Sequence, residues 1–143
     1  MGSFLNREGN FPWQDSLKLI NLVSDGVVEA FVTRFTLHTI AVKVAHGRIP
    51  ERLSQLSAFF SRIDRSRGLT VYDTSTVEER AIIELMMAKH LDFDDALQYF
   101  VASQLHLTLV SFDRDFDRTD IVRKEPTQIL QEQGLAQEAD VAR

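Results

Sequence analysis

Residues 91–117 read Leu91-Asp92-Phe93-Asp94-Asp95-Ala96-Leu97-Gln98-Tyr99-Phe100-Val101-Ala102-Ser103-Gln104-Leu105-His106-Leu107-Thr108-Leu109-Val110-Ser111-Phe112-Asp113-Arg114-Asp115-Phe116-Asp117. The first part is a helix signal. Asp92 suits an N-cap, and Leu97, Phe100 and Val101 fall on one helical side. The second part is the best strand signal in the chain, an apolar run over Leu107–Phe112 bounded by acids. Asp92, Asp94 and Asp95 load the helix start, while Asp113, Asp115 and Asp117 follow the strand end. In an open α/β sheet a helix start and the C-terminal end of a strand meet at one edge, where such sheets bind ligands. Carboxylates gathered without matching bases call for a cation, and hard oxygen donors suit Mg²⁺ or Mn²⁺.

The same alternation extends in both directions. Trp13–Val23 carries Leu17, Ile20 and Val23 at helical spacing, and Asp25-Gly26 stops it with a turn. Val27–Thr33 predicts a strand. Phe35, Leu37, Ile40, Ala41 and Val44 predict a helix closing near Gly47. Pro50 opens another, with Leu53, Leu56, Phe59, Phe60 and Ile63 as its stripe. Leu69–Tyr72 predicts a short strand. Thr76-Val77-Glu78-Glu79 matches a capping box before a helix through Met86. Ile121–Val122 predicts a last strand, and Pro126 to Gln133 a last helix, followed by a polar, fraying tail over residues 134–143. Strands alternating with helices predict an open parallel sheet between helical layers, an α/β fold.

Composition sets the outer limits. A chain of 143 residues with 44% apolar and 26% charged residues forms one soluble domain with a real core. With no cysteine, disulfide frameworks and zinc–thiolate sites are excluded, and a reducing, cytoplasmic setting is expected. No apolar run approaches a membrane span, and no secretory signal is visible at the N-terminus. The net charge of −5 is mild evidence against a nucleic-acid partner, because phosphate binding favours basic surfaces. An aspartate cluster at a metal site would account for the same deficit. Arg62, Arg65 and Arg67, and then Arg114, Arg118, Arg123 and Lys124, read as solvated surface. The six glycines form no phosphate loop, and neither a His-x-x-x-His nor a Gly-x-Ser-x-Gly pattern occurs. His46, His90 and His106 are isolated. Phe59-Phe60 and Met86-Met87 read as core.

The segment Asp92-Phe93-Asp94-Asp95-Ala96-Leu97-Gln98-Tyr99 resembles the Asp-Phe-Glu-Asp-Ala-Leu-Gln segment of bacterial PIN-domain proteins. Leu109-Val110-Ser111-Phe112-Asp113-Arg114-Asp115-Phe116 resembles the strand of that family ending in Val-Thr-x-Asp-x-Asp-Phe, with serine in place of threonine. Phe4-Leu5-Asn6-Arg7-Glu8, the Trp13–Val23 helix and Glu29-Ala30-Phe31-Val32-Thr33 resemble the family's N-terminal half. The likeness runs from about Phe4 to Leu130, which puts a PIN-like domain over residues 1–133. It implies a three-layer α/β/α fold and a Mg²⁺- or Mn²⁺-dependent endoribonuclease. Many small members are toxins of the virulence-associated protein C type, so RNA, an antitoxin protein and a homodimer mate are the implied partners, with no membrane. Carried onto this chain, Asp95 and Asp113 become the catalytic metal ligands, Asp92 and Asp115 auxiliary ligands, and Ser111 and Thr39 supporting residues.

Two positions depart from the family pattern. Its first strand ends in Asp-Thr-Asn, and alignment on Phe4–Glu8 would place that aspartate about five residues before Met1. The expectation is a chain that begins inside the domain, lacking that strand, with a natural protein that lost the strand as the alternative. The family's acidic residue in the helix after Val32-Thr33 falls on Thr39, with His38 beside it. Threonine is a poor Mg²⁺ ligand, although its hydroxyl can hold a metal-bound water. These departures keep a second reading open: a catalytically inactive PIN fold that binds RNA or protein. Bland roles also stand beside the sharp ones, with Asp92 as a helix cap, Asp94 as a solvated first-turn acid, and Asp117 and Asp120 as surface residues. A receiver-like signalling domain is set aside, because the acidic pair expected after its first strand is missing.

Overall fold

A computed structural model describes residues 12–141. The Phe4–Glu8 segment lies outside the described residues. The order is α1 (Pro12–Ser24), β1 (Ala30–Thr33), α2 (Arg34–Ala45), α3 (Pro50–Arg65), β2 (Leu69–Tyr72), α4 (Thr76–Lys89), α5 (Phe93–Gln104), β3 (Leu109–Val110), β4 (Arg123–Lys124) and α6 (Pro126–Val141). Short 3₁₀ turns occupy His46–Arg48 and Arg114–Arg118.

Among the described residues all strand pairing is parallel, and the architecture is α/β/α. β1 runs beside β2 with Ala30 opposite Leu69 and Thr33 opposite Tyr72. β3 runs beside β4 with Leu109 opposite Arg123. Among the described residues the strands pair two by two, as β1–β2 and β3–β4. α4 packs on α5, α1 on α6 and α2 on α3. The main core joins Ile82 of α4 to Leu91, Ala96, Leu97, Tyr99 and Val101 on and before α5. Tyr72, at the end of β2, and Ile121, before β4, pack against it from the two sheets.

Local chemistry explains the boundaries. Thr33 caps α2 by accepting the Thr36 N–H, and Pro50 occupies the first turn of α3. α4 ends at His90, which adopts a left-handed backbone with φ 55°. The α1 C-terminus is tied to β2, since the N–H groups of Arg67 and Gly68 donate to the carbonyls of Ser24 and Val23 at 3.1 and 3.0 Å. Gly68 allows this close approach, because a Cβ there would sit 2.3 Å from the Val28 carbonyl oxygen. Buried Asp15 of α1 accepts a hydrogen bond from the Thr127 hydroxyl of α6.

Several sequence expectations shift. The capping box belongs to Ser75 and Glu78, one residue earlier than Thr76–Glu79. Both pairs satisfy the same four-residue pattern, and the glutamate that also meets the Tyr72 hydroxyl wins. The strand expected over Leu107–Phe112 is only Leu109–Val110, because its partner β4 is two residues long. That partner is Arg123–Lys124 and not Ile121–Val122. The last helix continues through Gly134 to Val141, where a fraying tail was expected. Met87 is 69% exposed, so only Met86 of that pair packs on the core.

Candidate active site

Asp92 stands just before α5. Its Oδ1 accepts the Asp95 N–H at 3.0 Å, which satisfies one of the unpaired donors of the first turn. The next two acids differ in exposure. Asp94 is exposed, while Asp95 is partly withdrawn from water. Burial pushes the Asp95 carboxyl up to about 6, and the charges of Asp92, Asp113 and Asp94 push the same way. The influence of Asp113 is the informative one, because it comes from a different element. The structure brings Asp95 and Asp113 within electrostatic reach of each other.

Asp113 follows β3 through Ser111 and Phe112. Its N–H donates to Ser111 Oγ at 3.0 Å, and its Oδ1 accepts the Asp115 N–H at 2.9 Å. Asp113 thereby caps the Arg114–Arg118 turn. Ser111 supports the strand end in the most direct sense, since its hydroxyl fixes the Asp113 backbone. Asp115 lies 3.7 Å from Arg118, and both are exposed. Asp117 pairs with Arg123, whose hydrogen bonds hold its carboxyl below the usual range. Asp120 accepts the Tyr99 hydroxyl and is lowered for that reason. Asp117 and Asp120 are therefore exposed but partnered.

Thr39 uses its hydroxyl within its own helix, donating to the Phe35 carbonyl at 3.0 Å. His38 is exposed. The threonine that reaches α5 is Thr36, whose Oγ1 accepts Gln98 Nε2 at 2.8 Å and the Thr33 hydroxyl at 2.9 Å. Thr36, Gln98 and Arg123 fasten the elements that carry these acids, and the pattern of acids does not reveal them. The Thr33-x-x-Thr36 cap was a legible hint for the first.

The hard carboxylate chemistry of Asp95 and Asp113 fits Mg²⁺ or Mn²⁺, and their mutual repulsion is the kind a divalent cation relieves. Among the described residues no three His, Asp or Glu side chains gather to hold an ion. Asp95 and Asp113 are the two acids that would hold such an ion, with water or further ligands completing its coordination. The site is open. Two shallow clefts lie elsewhere, one at Arg34, Leu37 and Phe60 and one at Ser103, His106 and Asp120, and neither is lined by Asp95 or Asp113.

This is a parallel α/β/α protein with paired carboxylates where a strand end meets a helix start. The family model of the PIN domain matches residues 13–122, and the chain belongs to that family. Comparison with curated proteins and with solved structures gave no match. PIN domains are generally nucleases that act on RNA and use divalent metal ions. Among the described residues no helix is long and apolar enough to cross a membrane.

Proposed function

We propose that this chain is a Mg²⁺- or Mn²⁺-dependent endoribonuclease, the toxin of a toxin–antitoxin pair, working in the cytoplasm and able to form a homodimer. The observation that carries the nuclease reading is the PIN family match over residues 13–122, with Asp95 in the first turn of α5 and Asp113 just after β3. Those two carboxylates would hold the ion, with Asp92 and Asp115 as auxiliary ligands. When bound, the ion supplies Lewis acidity and a polarised water at the scissile phosphodiester. The chain's own residues do the rest. Asp92 fixes the first turn of α5, Ser111 fixes the backbone of Asp113, and Gln98 and Thr36 join α5 to α2. Exposed Arg114 and Arg118 offer cations beside the site for the RNA backbone.

The toxin assignment rests on the Asp92–Gln98 segment and the small size of the domain. The alternative is an inactive fold that binds RNA or protein, favoured by Thr39 turning its hydroxyl into its own helix. End-labelled RNA incubated with the purified protein, with Mn²⁺ or with a chelator, separates the two. Cleavage only with metal is expected. Binding without cleavage at any metal concentration would leave the inactive reading in place.

A further inference from the structure

Arg123 is on β4, opposite Leu109, and its side chain is only 12% accessible. All three guanidinium nitrogens are engaged. Nε and Nη2 donate to the two carboxylate oxygens of Asp117 at 2.9 and 3.1 Å. Nη1 donates to the Ser111 carbonyl at 2.9 Å and lies 3.5 Å from Glu125 Oε1. The planar fork suits this two-point grip, which a lysine cannot reproduce.

The gripped atoms straddle Asp113, with Ser111 before it and Asp117 after it. Ser111 is held a second time, since its N–H donates to the Lys124 carbonyl at 3.0 Å. From Ser111 the bonds continue through its Oγ to the Asp113 N–H, and from Asp113 Oδ1 to the Asp115 N–H. The segment needs such an anchor. The β3–β4 ladder is two residues long, and in the turn that follows only Phe116 is buried, at 3%.

We infer that Arg123 is a positioning residue that clamps the 111–117 segment so that the Asp113 carboxylate is held toward Asp95. This rests on the reading of Asp95 and Asp113 as the active site. Arg123 is not a phosphate ligand, because Asp117 and the Ser111 carbonyl already occupy its donors. Arg114 and Arg118 remain exposed for that purpose.

The test compares Arg123→Met, Arg123→Lys and Asp117→Asn with the parent chain. The first measurement is the heteronuclear ¹H–¹⁵N NOE of the Asp113 and Asp115 amides, with no metal or RNA present. In the parent both amides are held, by Ser111 Oγ and by Asp113 Oδ1. Their NOE should fall clearly in Arg123→Met and less in Arg123→Lys and Asp117→Asn, while the Ile82 and Leu97 amides keep parent values. Should Arg123→Met fail to fold, Asp117→Asn, which keeps every guanidinium donor, decides the matter. The second measurement is RNA cleavage. Loss of the clamp should lower kcat by roughly 10–100-fold with KM nearly unchanged. A raised KM with parent-like NOE values at Asp113 and Asp115 would mark Arg123 as an RNA contact and overturn the proposal. Lowered NOE values at Asp113 and Asp115 in a variant whose parent cleaves nothing would uphold the clamp and remove the proposed activity instead.

Discussion

Gln98 Nε2, on α5, donates at 2.8 Å to Thr36 Oγ1 in the first turn of α2, a bond across 62 positions of sequence. Beside it the rings of Phe93 and Phe35 meet edge to face at 5.3 Å. The helix that carries Asp95 is therefore fastened to the helix that follows β1. Gln98→Leu should cost about 1 kcal/mol by removing a partly buried hydrogen bond. Adding Thr36→Val should cost less than the sum of the two single changes, by roughly 0.5–1 kcal/mol. Urea titrations of the four chains measure this coupling, and strict additivity would count against it.

At the acids the expectation is selective. Asp95→Asn and Asp113→Asn should each lower Mn²⁺-dependent RNA cleavage by at least about 100-fold, since on the proposed reading each removes a charged metal ligand. Asp94→Asn, on the exposed side of the same turn, should change it by less than about threefold. Equal losses at Asp94 and Asp95 would mean that general charge, and not ligation, is being measured.

The raised Asp95 carboxyl makes a pH prediction. Its folded value of about 6 exceeds the ordinary carboxyl value of 3.8, so the folded chain binds the proton more tightly than the unfolded chain. Stability from this group is therefore greatest below the unfolded value and falls as pH rises through about 6. Asp95→Asn should raise Tm at pH 7 and leave it unchanged near pH 3.5. Because the side chain keeps some contact with water, about 1 kcal/mol is a reasonable ceiling, or a few degrees. Metal should produce the same rise in the parent at pH 7, and less in the variant. A Tm gap independent of pH would contradict the assigned cause.

Capping separates two adjacent hydroxyls. Ser75→Ala removes the acceptor for the Glu78 N–H and should cost about 1 kcal/mol. Thr76→Ala, already inside the helix, should be neutral or slightly stabilising. Chemical denaturation of the two variants decides the register of the box.

Two glycines should respond oppositely to alanine. At Gly68 a Cβ would meet two backbone carbonyl oxygens, at 2.3 and 2.7 Å. Gly68→Ala should push α1 away from β2 and cost several kcal/mol, on the order of 2–4. Gly134 lies inside α6 with nothing within 4 Å of the added methyl. Gly134→Ala should gain about 0.5–1 kcal/mol. Thermal melts of both variants read the signs.

The helices were legible because each carries an apolar stripe or a recognisable start. Pro50, Asp92 and the Leu53–Ile63 stripe needed no tertiary information. β2 was legible as a β-branched run after Gly68. β4 was not, since Arg123 and Lys124 carry no strand preference, and only the pairing with β3 makes them a strand. At the site, Asp95 and Asp113 stood out by chemistry and spacing. Arg123 did not, because a basic residue near other basic residues usually faces water. Its burial depends on Asp117 and the Ser111 carbonyl folding back onto it.

The pairing of strands two by two has a consequence for how the molecule breathes. Among the described residues each ladder is bonded along one side only, so its amides can open without disturbing a neighbouring strand. Ile82, Ala96 and Leu97 are sealed almost completely between α4 and α5. Hydrogen–deuterium exchange should therefore be slowest in those two helices and faster in all four strands, the reverse of the order expected when a continuous sheet is the last part to open. The acids at the start of α5 ride on the slowest-opening part of the protein, and Asp113 on one of the quickest.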